Sequence, residues 1–262
     1  MKKIMNLVLK AILKNKIFSV YLKEKNIDMK KIVVLTGAGI SVESGIKAFR
    51  SEDGLWENHR VEDVATHSAW YRNPQLILDF YNTMRAQLAT KEPNAAHICL
   101  AEMEKRYDIS IITQNVDNLH ERAGSSKIIH LHGELTKACS SRDEADSRTF
   151  VEIGYNPIKM GDKASDGSQL RPQIVFFEEA VPNIEPAAKL TQQADILIII
   201  GTSMQVYPAA GLISYAQQNY EKTFYHSDCC NDNSNYVRTD KENRGCLLLC
   251  HRYNRSRCQA VG

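Results

Sequence analysis

The sequence has no large excess of charge of either sign. Its 262 residues hold 33 lysines and arginines against 31 aspartates and glutamates, which gives a formal net charge of +2. A protein that binds nucleic acid through its overall charge is expected to be far more basic. With 43% apolar and 24% charged residues, the chain has the composition of a globular protein with a sizeable core. We therefore expect a small-molecule or peptide ligand and no nucleic acid.

Cysteine is scarce in the body of the chain. Only Cys99 and Cys139 lie within the first 228 residues, and the remaining five of the seven crowd the tail. An odd total with two cysteines in the body does not build the disulfide framework of a secreted protein. The pattern predicts a reducing compartment, and we expect a cytoplasmic protein.

A long uninterrupted apolar run is missing from the N-terminal region, because Lys10, Lys14 and Lys16 interrupt it. The stretch is too short and too charged for a transmembrane helix, and it lacks the apolar core of a signal peptide. A basic amphipathic helix that touches membranes is the alternative to a dispensable extension. We expect no firm membrane association, assign residues 1–28 to an extension, and place the start of the folded domain at Met29.

The tail, residues 226–262, differs in character from the rest of the chain. It shows no clean helical or strand period. Its cysteines are not spaced as two Cys-x-x-Cys pairs, so the pattern does not indicate a zinc site. We interpret this Cys-rich tail as disordered or aberrant.

Between these ends, residues 29–225 alternate short strands with helices. The predicted strands, rich in Ile and Val, are Ile32–Leu35, Ile109–Thr113, Ile128–Leu131, Ile174–Phe177, Ile196–Ile200 and Thr223–Tyr225. Helices are predicted from Pro74 to Leu88, after Asn94, and from near Pro186 to Ala194. Strands that are apolar on both faces suit a parallel sheet covered on both sides. The sequence therefore predicts an α/β fold with a doubly wound, mostly parallel, Rossmann-like sheet.

Three loops at predicted strand ends are unusual. Gly37–Ser41 follows the first strand with small residues that let backbone N–H groups approach a phosphate, although Val42 replaces the third glycine of a standard dinucleotide fingerprint. Thr113–Asn118 places amides and a carboxylate at another strand end, and Gly201–Ser203 follows a third. Ligands of such sheets bind at the carboxyl ends of the strands, so we expect these loops to share one ligand.

Two histidines complete the candidate site. His130 and His132 alternate across Leu131, so we expect both to project from the same face of a strand that ends at Gly133. A metal site lacks an evident third ligand, and no metal is expected. His130 suits a packed, hydrogen-bonded residue, whereas His132 is the better general base because imidazole titrates near neutral pH.

Taken in order, these motifs resemble those of the sirtuins over roughly residues 31–216. The matching segments are Gly37–Ile46 with Phe49 and Arg50, Gln114–Asp117, His132–Gly133 and Gly201–Ser203. Asp53–Trp56 and Asn118–Gly124 further resemble a bacterial branch of that family that includes short-chain deacylases. Sirtuins remove acyl groups from protein lysines with NAD as cofactor, and they release nicotinamide and O-acyl-ADP-ribose.

The resemblance implies roles for individual residues. Those implied to bind NAD are Gly37, Ala38, Gly39, Phe49, Arg50, Gln114, Asn115, Asp117, Gly201, Thr202 and Ser203. Within this set, Asn115 and Asp117 would bind the nicotinamide carboxamide, and Asn115 would act with His132 in catalysis. His132 would be the general base for the ribose hydroxyls. Tyr81, Arg85, Val175 and Phe177 would contact the acyl-lysine protein or peptide substrate.

The chain also departs from the family pattern. Many sirtuins carry two Cys-x-x-Cys pairs after the catalytic histidine, but Cys139 is the only cysteine in residues 134–169. We expect a small inserted module there, in which residues 140–168 form a lid that holds no metal. Glu178 replaces a usual glycine and is expected to crowd the acyl-lysine.

The acyl preference depends on one helix. In the desuccinylating branch a Tyr-x-x-Arg pair binds the acyl carboxylate, whereas here Met84 stands three residues after Tyr81 and Arg85 follows it. We expect a deacetylase, with desuccinylation as an open alternative. Two functions of other classes stay open as well, namely a catalytically weak NAD or ADP-ribose binding module and a mono-ADP-ribosyltransferase.

Overall fold

The computed structural model describes residues 31–47, 55–56, 59–216, 222–227 and 246–250, with the backbone alone for the last two segments. The predicted extension 1–28, Phe49, Arg50 and most of the tail 226–262 lie outside the described residues. None of the described helices has both the length and the apolar character needed to cross a bilayer.

The described chain alternates strands and helices as the sequence predicts. The strands are β1 (Lys31–Thr36), β2 (Leu55–Trp56), β3 (His59–Arg60), β4 (Asp108–Thr113), β5 (Ile128–His130), β6 (Gly133–Ser140), β7 (Val151–Glu152), β8 (Leu170–Ile174), β9 (Ile196–Ile200), β10 (Lys222–Ser227) and β11 (Cys246–Cys250). The α-helices are α1 (Val61–Val64), α2 (His67–Arg72), α3 (Pro74–Leu88), α4 (Ala95–Met103), α5 (Leu119–Ala123), α6 (Ile184–Gln193) and α7 (Leu212–Ala216). Short 3₁₀ helices span Ala38–Ser44, Ser147–Thr149 and Ala209–Gly211.

Six strands form one parallel sheet in the order β11-β10-β9-β1-β4-β5. From β1 the chain moves outward through β4 to β5, and it later returns to β9 on the other side of β1 and continues to β10. The direction of winding therefore reverses between β1 and β9, and in such sheets the ligand crevice lies at the carboxyl ends of the strands at this point. The predicted doubly wound α/β fold is confirmed.

Alternate residues of β1 face two separate cores. Ile32 and Val34 pack with Leu100 of α4 on one face of the sheet. Val33 and Leu35 lie on the other face, which α6 and α7 cover. All five residues of β9 are buried. Strands of this kind stay apolar on both faces because helices cover both sides of the sheet.

Helix boundaries follow local signals. The side chain of Asn73 accepts from the Leu76 N–H at 3.1 Å and caps α3, where Pro74 takes the first helical position. Asn94 caps α4 in the same way, accepting from Ala96 N–H at 2.8 Å. Both predicted helix starts are confirmed, and α6 begins two residues before the predicted Pro186.

The predicted strand Ile174–Phe177 is wrong. The strand there is β8, which ends at Ile174 and pairs antiparallel with β6 in a separate three-stranded sheet ordered β7-β6-β8. The residues after Ile174 are apolar because Phe176 packs against the aromatic rings of α3, with 5.8 Å between the ring centroids of Phe176 and Tyr81. A short apolar run does not reveal which sheet it joins.

The three-stranded sheet extends beyond the predicted insert at 134–169, because its strands reach Gly133 and Ile174. It is attached to α3 by Asn82, whose amide donates to the Ile158 carbonyl at 2.8 Å and accepts from the Ile158 N–H at 2.9 Å. The role of this sheet as a lid stays a prediction.

Two further boundaries differ from expectation. Strand β5 ends at His130, and Gly133 begins β6 instead of ending the histidine strand. In the tail, where no regular element was expected, Cys246–Cys250 forms the edge strand β11 beside β10. The run Leu247–Leu249 supplied that signal, but it was too short to show a period.

Candidate active site

The loops that follow β1 and β9 interlock at the reversal point of the sheet. Gly37 N–H donates to the Ile200 carbonyl at 3.0 Å, and Gly39 N–H donates to the Gly201 carbonyl at 2.8 Å. A Cβ on Gly39 would lie 2.7 Å from Gly201 Cα, so this approach requires glycine. The two loops therefore form one continuous surface of small residues.

The first turn of the 3₁₀ helix Ala38–Ser44 suits an anionic ligand. It contains no acidic residue, and no hydrogen bond among the described residues engages the Ala38 N–H. The third loop joins the same surface, because the Gln114 amide donates to the Thr202 hydroxyl at 2.9 Å. Ser203 follows at the exposed edge. The structure thus brings together the three predicted loops.

Asn115 and Asp117 lie buried behind that surface. Ser41 Oγ donates to Asp117 Oδ2 at 2.9 Å and accepts from Asn115 Nδ2 at 3.1 Å, and Leu119 N–H donates to Asp117 Oδ1 at 3.1 Å. Burial raises the pKa of the Asp117 carboxyl, and the bonds from Leu119 and Ser41 offset part of that rise. Ser41 is a site residue that the sequence-based assignment missed, although it stands in the glycine-rich motif.

Two buried histidines support this cluster and were also missed. His97 Nδ1 accepts from the Asn94 N–H, which leaves a proton on Nε2, 3.5 Å from Ser41 Oγ. His120 Nε2 lies 3.1 Å from Thr36 Oγ1, and the His97 and His120 rings meet edge to face at 4.9 Å. Burial lowers the pKa of His97 to about 4 and that of His120 to about 3, so both are neutral near pH 7.

His132 has the chemistry of a general base. Its Nδ1 lies 3.0 Å from the Gln114 carbonyl oxygen, which can only accept, so Nδ1 carries the proton and Nε2 keeps a lone pair. Burial lowers the pKa of His132, and the bond to Gln114 opposes this only in part. The imidazole is therefore neutral and able to take a proton at Nε2 near pH 7.

His130 points at the same loop but has different partners. Its Nδ1 lies 2.9 Å from the Asn115 carbonyl oxygen, and its Nε2 lies 2.7 Å from Glu121 Oε1. Although β5 ends at His130, the two histidines still contact successive carbonyl groups, those of Gln114 and Asn115. His130 is hydrogen-bonded and buried, as its sequence position suggested.

The predicted substrate residues occupy different environments. Val175 N–H donates to the His132 carbonyl at 3.0 Å, which places Val175 beside the candidate base. Phe177 pairs through its backbone with Ala65 and His67, and the residue is 38% exposed. Tyr81 is buried, with its ring against Phe176.

Arg85 lies in the interior of the protein. The side chain is fully buried, Nε donates to the Leu135 carbonyl at 2.7 Å, and Nη1 donates to Asn82 Oδ1 at 2.7 Å. Burial lowers the pKa of Arg85 to about 10. The bond to Leu135 joins α3 to β6, and the bond to Asn82 lies within α3, so the geometry favours a role in holding the three-stranded sheet over a role in binding an acyl carboxylate.

Glu178 adopts a backbone conformation that favours glycine, with φ of 76°. Its carboxylate accepts from Ser68 N–H at 2.9 Å and from Ser68 Oγ at 3.1 Å, at the start of α2. These bonds to solvent-exposed partners lower the pKa of Glu178. The side chain is thus held against α2, and the expected crowding of an acyl-lysine stays a prediction.

One group of potential metal ligands occurs among the described residues, formed by His67, Glu144 and Glu179. Both Glu179 carboxylate oxygens already accept from the buried Arg171 guanidinium, at 2.6 and 3.1 Å. A cation there would displace Arg171, so the donor set does not suit a metal ion.

Comparison with protein families identifies a relationship that fits this geometry. The family model described as Sir2 family matches residues 37–208. The chain is 56% identical over 195 residues to an NAD-dependent protein deacylase of Bacteroides thetaiotaomicron, covering 74% of this chain and 83% of that protein. It is 56% identical over 191 residues to an NAD-dependent protein deacylase of Helicobacter pylori, covering 73% of this chain and 82% of that protein.

Solved structures show the same relationship. A Sir2 homolog–NAD complex superposes with a TM-score of 0.69 at 34% identity, covering 84% of this chain and 83% of that chain. A complex described as Sir2-p53 peptide-NAD+ superposes with a TM-score of 0.63 at 30% identity, covering 81% and 85% of the two chains.

Proposed function

Because the chain belongs to the Sir2 family, we propose that it is an NAD-dependent protein deacylase, which removes acyl groups from lysine side chains. Relatives that are 56% identical carry this activity in their names, and the chain covers more than four fifths of their length. The family's solved structures include complexes with NAD and with a peptide, which supports a protein or peptide substrate.

The residues present fit NAD. Gly37, Ala38 and Gly39 together with Gly201, Thr202 and Ser203 would hold its diphosphate and ribose, because the interlocked loops expose backbone N–H and hydroxyl groups and no carboxylate. Gln114, Asn115 and Asp117 would face the nicotinamide side, and Phe49 with Arg50 would cover the reacting ribose. When bound, NAD would supply a ribose that loses nicotinamide at one carbon and takes up the acyl group on a hydroxyl oxygen.

The single observation that carries the proposal is the state of His132. A neutral imidazole with its proton on Nδ1 stands next to the Gln114–Asp117 loop, and its Nε2 can take a proton from a hydroxyl group. Asn115 and Asp117 are fixed by Ser41 before any ligand arrives, so the nicotinamide side is preorganised.

For the acyl group we propose acetyl over succinyl. Arg85, which lies next to the position where the desuccinylating branch has its carboxylate-binding arginine, uses two donors on Leu135 and Asn82 inside the protein. The residue three positions after Tyr81 is Met84, whose partly buried side chain packs against the apolar core and offers no cationic donor.

The test is a nicotinamide-release assay with acetyl-lysine and succinyl-lysine peptides, using the wild type and His132→Ala. We expect acetyl-dependent release by the wild type and a fall of about 10²–10⁴-fold in His132→Ala, the usual contribution of a general base. His97→Asn is a poor control because the His97 side chain contacts Ser41 in the site. We therefore use His59→Ala, a substitution on β3, as the matched histidine control.

Other outcomes identify the rival functions. NAD binding without nicotinamide release would indicate a binding module. Covalent transfer of label from NAD to a protein would indicate a mono-ADP-ribosyltransferase.

The free thiols of Cys99 and Cys139 agree with the proposal of a reducing, cytoplasmic location.

A further inference from the structure

The ion pair between His130 and Glu121 has no part in the chemistry described so far. His130 is the last residue of β5 and is 7% exposed, whereas Glu121 lies on α5 with a side chain 39% exposed. Their contact, 2.7 Å from His130 Nε2 to Glu121 Oε1, bridges the sheet and the helix directly after the Asn115–Asp117 loop.

The partners of His130 decide its charge. The Asn115 carbonyl at Nδ1 and the Glu121 carboxylate at Nε2 are both acceptors, and a neutral imidazole has one N–H to offer. With Glu121 ionised, as its lowered pKa indicates, both bonds form together only when the ring is an imidazolium. Burial lowers the pKa of His130, but the hydrogen bond and charge of Glu121 outweigh it, and the pKa is raised. Burial likewise opposes ionisation of Glu121, and the bond from His130 reverses this and lowers its pKa.

The other groups that face His130 favour the same state. Glu134 on β6 places negative charge near the ring, and Asp117 in the loop is a further carboxyl group close to it. His120 on α5 is neutral, because burial lowers its pKa to about 3. Among the described residues, the cation that acts on Glu121 besides His130 is Lys137, which is bound to Glu134 at 2.7 Å. From the side of α6, Asn183 contributes a neutral amide that donates to the His130 carbonyl at 2.7 Å.

We propose that His130 and Glu121 are a positioning pair for the nicotinamide side of the site, in which the His130 imidazolium holds the Asn115 carbonyl and places its charge toward Asp117. The inference rests on the proposed deacylase function. His132 holds the preceding carbonyl as a neutral ring, so the two histidines need opposite protonation states. Deprotonation of His130 would free either Asn115 or Glu121.

Glu121→Gln tests the pair with little change in shape. A neutral amide no longer stabilises the imidazolium, so His130 loses its proton at a lower pH. We expect kcat/KM for NAD to fall about tenfold at pH 8, in line with the loss of a charge-assisted hydrogen bond, and to recover toward the wild type at pH 6. Recovery at low pH is a result that simple damage to the fold does not produce. Glu104→Gln is the control, because that carboxylate bonds Ser126 on the neighbouring loop.

The charge of His130 is measured independently of activity. Nitrogen-15 NMR of the full chain, with His130→Gln used to assign the signals, should show both ring nitrogens protonated at pH 7.5 in the wild type and one of them unprotonated in Glu121→Gln. A neutral His130 in the wild type overturns the proposal, as does a Glu121→Gln pH profile that matches Glu104→Gln.

The outcomes separate this inference from the proposed function. A wild type that releases no nicotinamide with any acyl peptide contradicts the deacylase function. The pair is then tested by calorimetric titration with NAD, where Glu121→Gln should bind about tenfold more weakly than Glu104→Gln at pH 8 and equally at pH 6. Equal affinity at both pH values overturns the pair.

Discussion

Ser41→Ala probes the most heavily bonded side chain of the site. The Ser41 hydroxyl is fully buried, donates to Asp117 Oδ2 at 2.9 Å, and accepts from Asn115 Nδ2 at 3.1 Å and from His97 Nε2 at 3.5 Å. A hydroxyl has one proton and two lone pairs, so its capacity is used in full. Alanine removes all three contacts and leaves their polar partners buried.

The expected cost follows from those partners. A hydrogen bond to a buried carboxylate contributes roughly 1.5–3 kcal/mol, and an amide left without its acceptor costs about 1–3 kcal/mol. Allowing for relaxation, we expect Ser41→Ala to lower the free energy of unfolding by about 3 kcal/mol. If Asn115 and Asp117 hold the nicotinamide side, the same loss of order should reduce kcat/KM for NAD about 10²-fold.

The cost should also depend on pH. The folded-state pKa of Asp117 is raised by burial, and the Ser41 bond lowers it, so removing Ser41 raises it further. A raised carboxyl pKa gives stability that is present at low pH and is lost as pH rises through the folded pKa. The difference in stability between wild type and Ser41→Ala should therefore widen as Asp117 ionises.

Urea unfolding at several pH values, together with nicotinamide release, measures these effects. Ser44→Ala is the matched control in the same 3₁₀ helix, since Ser44 Oγ accepts a single bond from Asn94 Nδ2 at 3.1 Å and is only partly buried. If Ser41→Ala is no more destabilising than Ser44→Ala, or if the gap between them narrows with rising pH, the assigned network is wrong.

Two further substitutions address the departures from the family pattern. Arg85→Met should lower the free energy of unfolding by about 2–4 kcal/mol, because the Leu135 carbonyl loses a charged donor, yet leave the ratio of acetyl to succinyl turnover unchanged; a selective loss of succinyl turnover would restore the acyl-reading role. Glu178→Gly and Glu178→Ala both remove the carboxylate but differ in the Cβ at φ of 76°. Urea unfolding should find the glycine variant more stable by about 1 kcal/mol, and equal stability would argue against backbone strain there.

The fold was largely predictable because its strands carry their own signal. β1, β4 and β9 are apolar runs buried on both faces, and the polar loops that follow them mark their carboxyl ends. The prediction of a strand at Ile174–Phe177 is wrong because residues that pack against Tyr81 are as apolar as residues inside a parallel sheet. An apolar segment predicts that its residues are buried, but it does not predict which element they pack against.

Residues of the site were predictable where the chain itself places them at a strand end. Gly39 and Asp117 belong to such loops. His97 and His120 come from helices, and a lone helical histidine gives no periodic signal, so only the fold reveals that both rings stand behind Ser41. Arg85 is the opposite case. It was expected to contact the substrate, but its side chain points into the protein and donates to the Leu135 carbonyl.

The two histidines of the site show why protonation state cannot be predicted from residue type or spacing. His130 and His132 are two residues apart, the first buried and the second partly buried, and each holds one loop carbonyl at about 3 Å through Nδ1. Burial alone lowers the pKa of both, and it prevails at His132. At His130 the second nitrogen meets Glu121, and that one carboxylate reverses the shift. Opposite shifts in neighbouring groups keep one ring neutral and the other charged over the same pH range, so activity should fall on the acid side with His132 and on the alkaline side with His130.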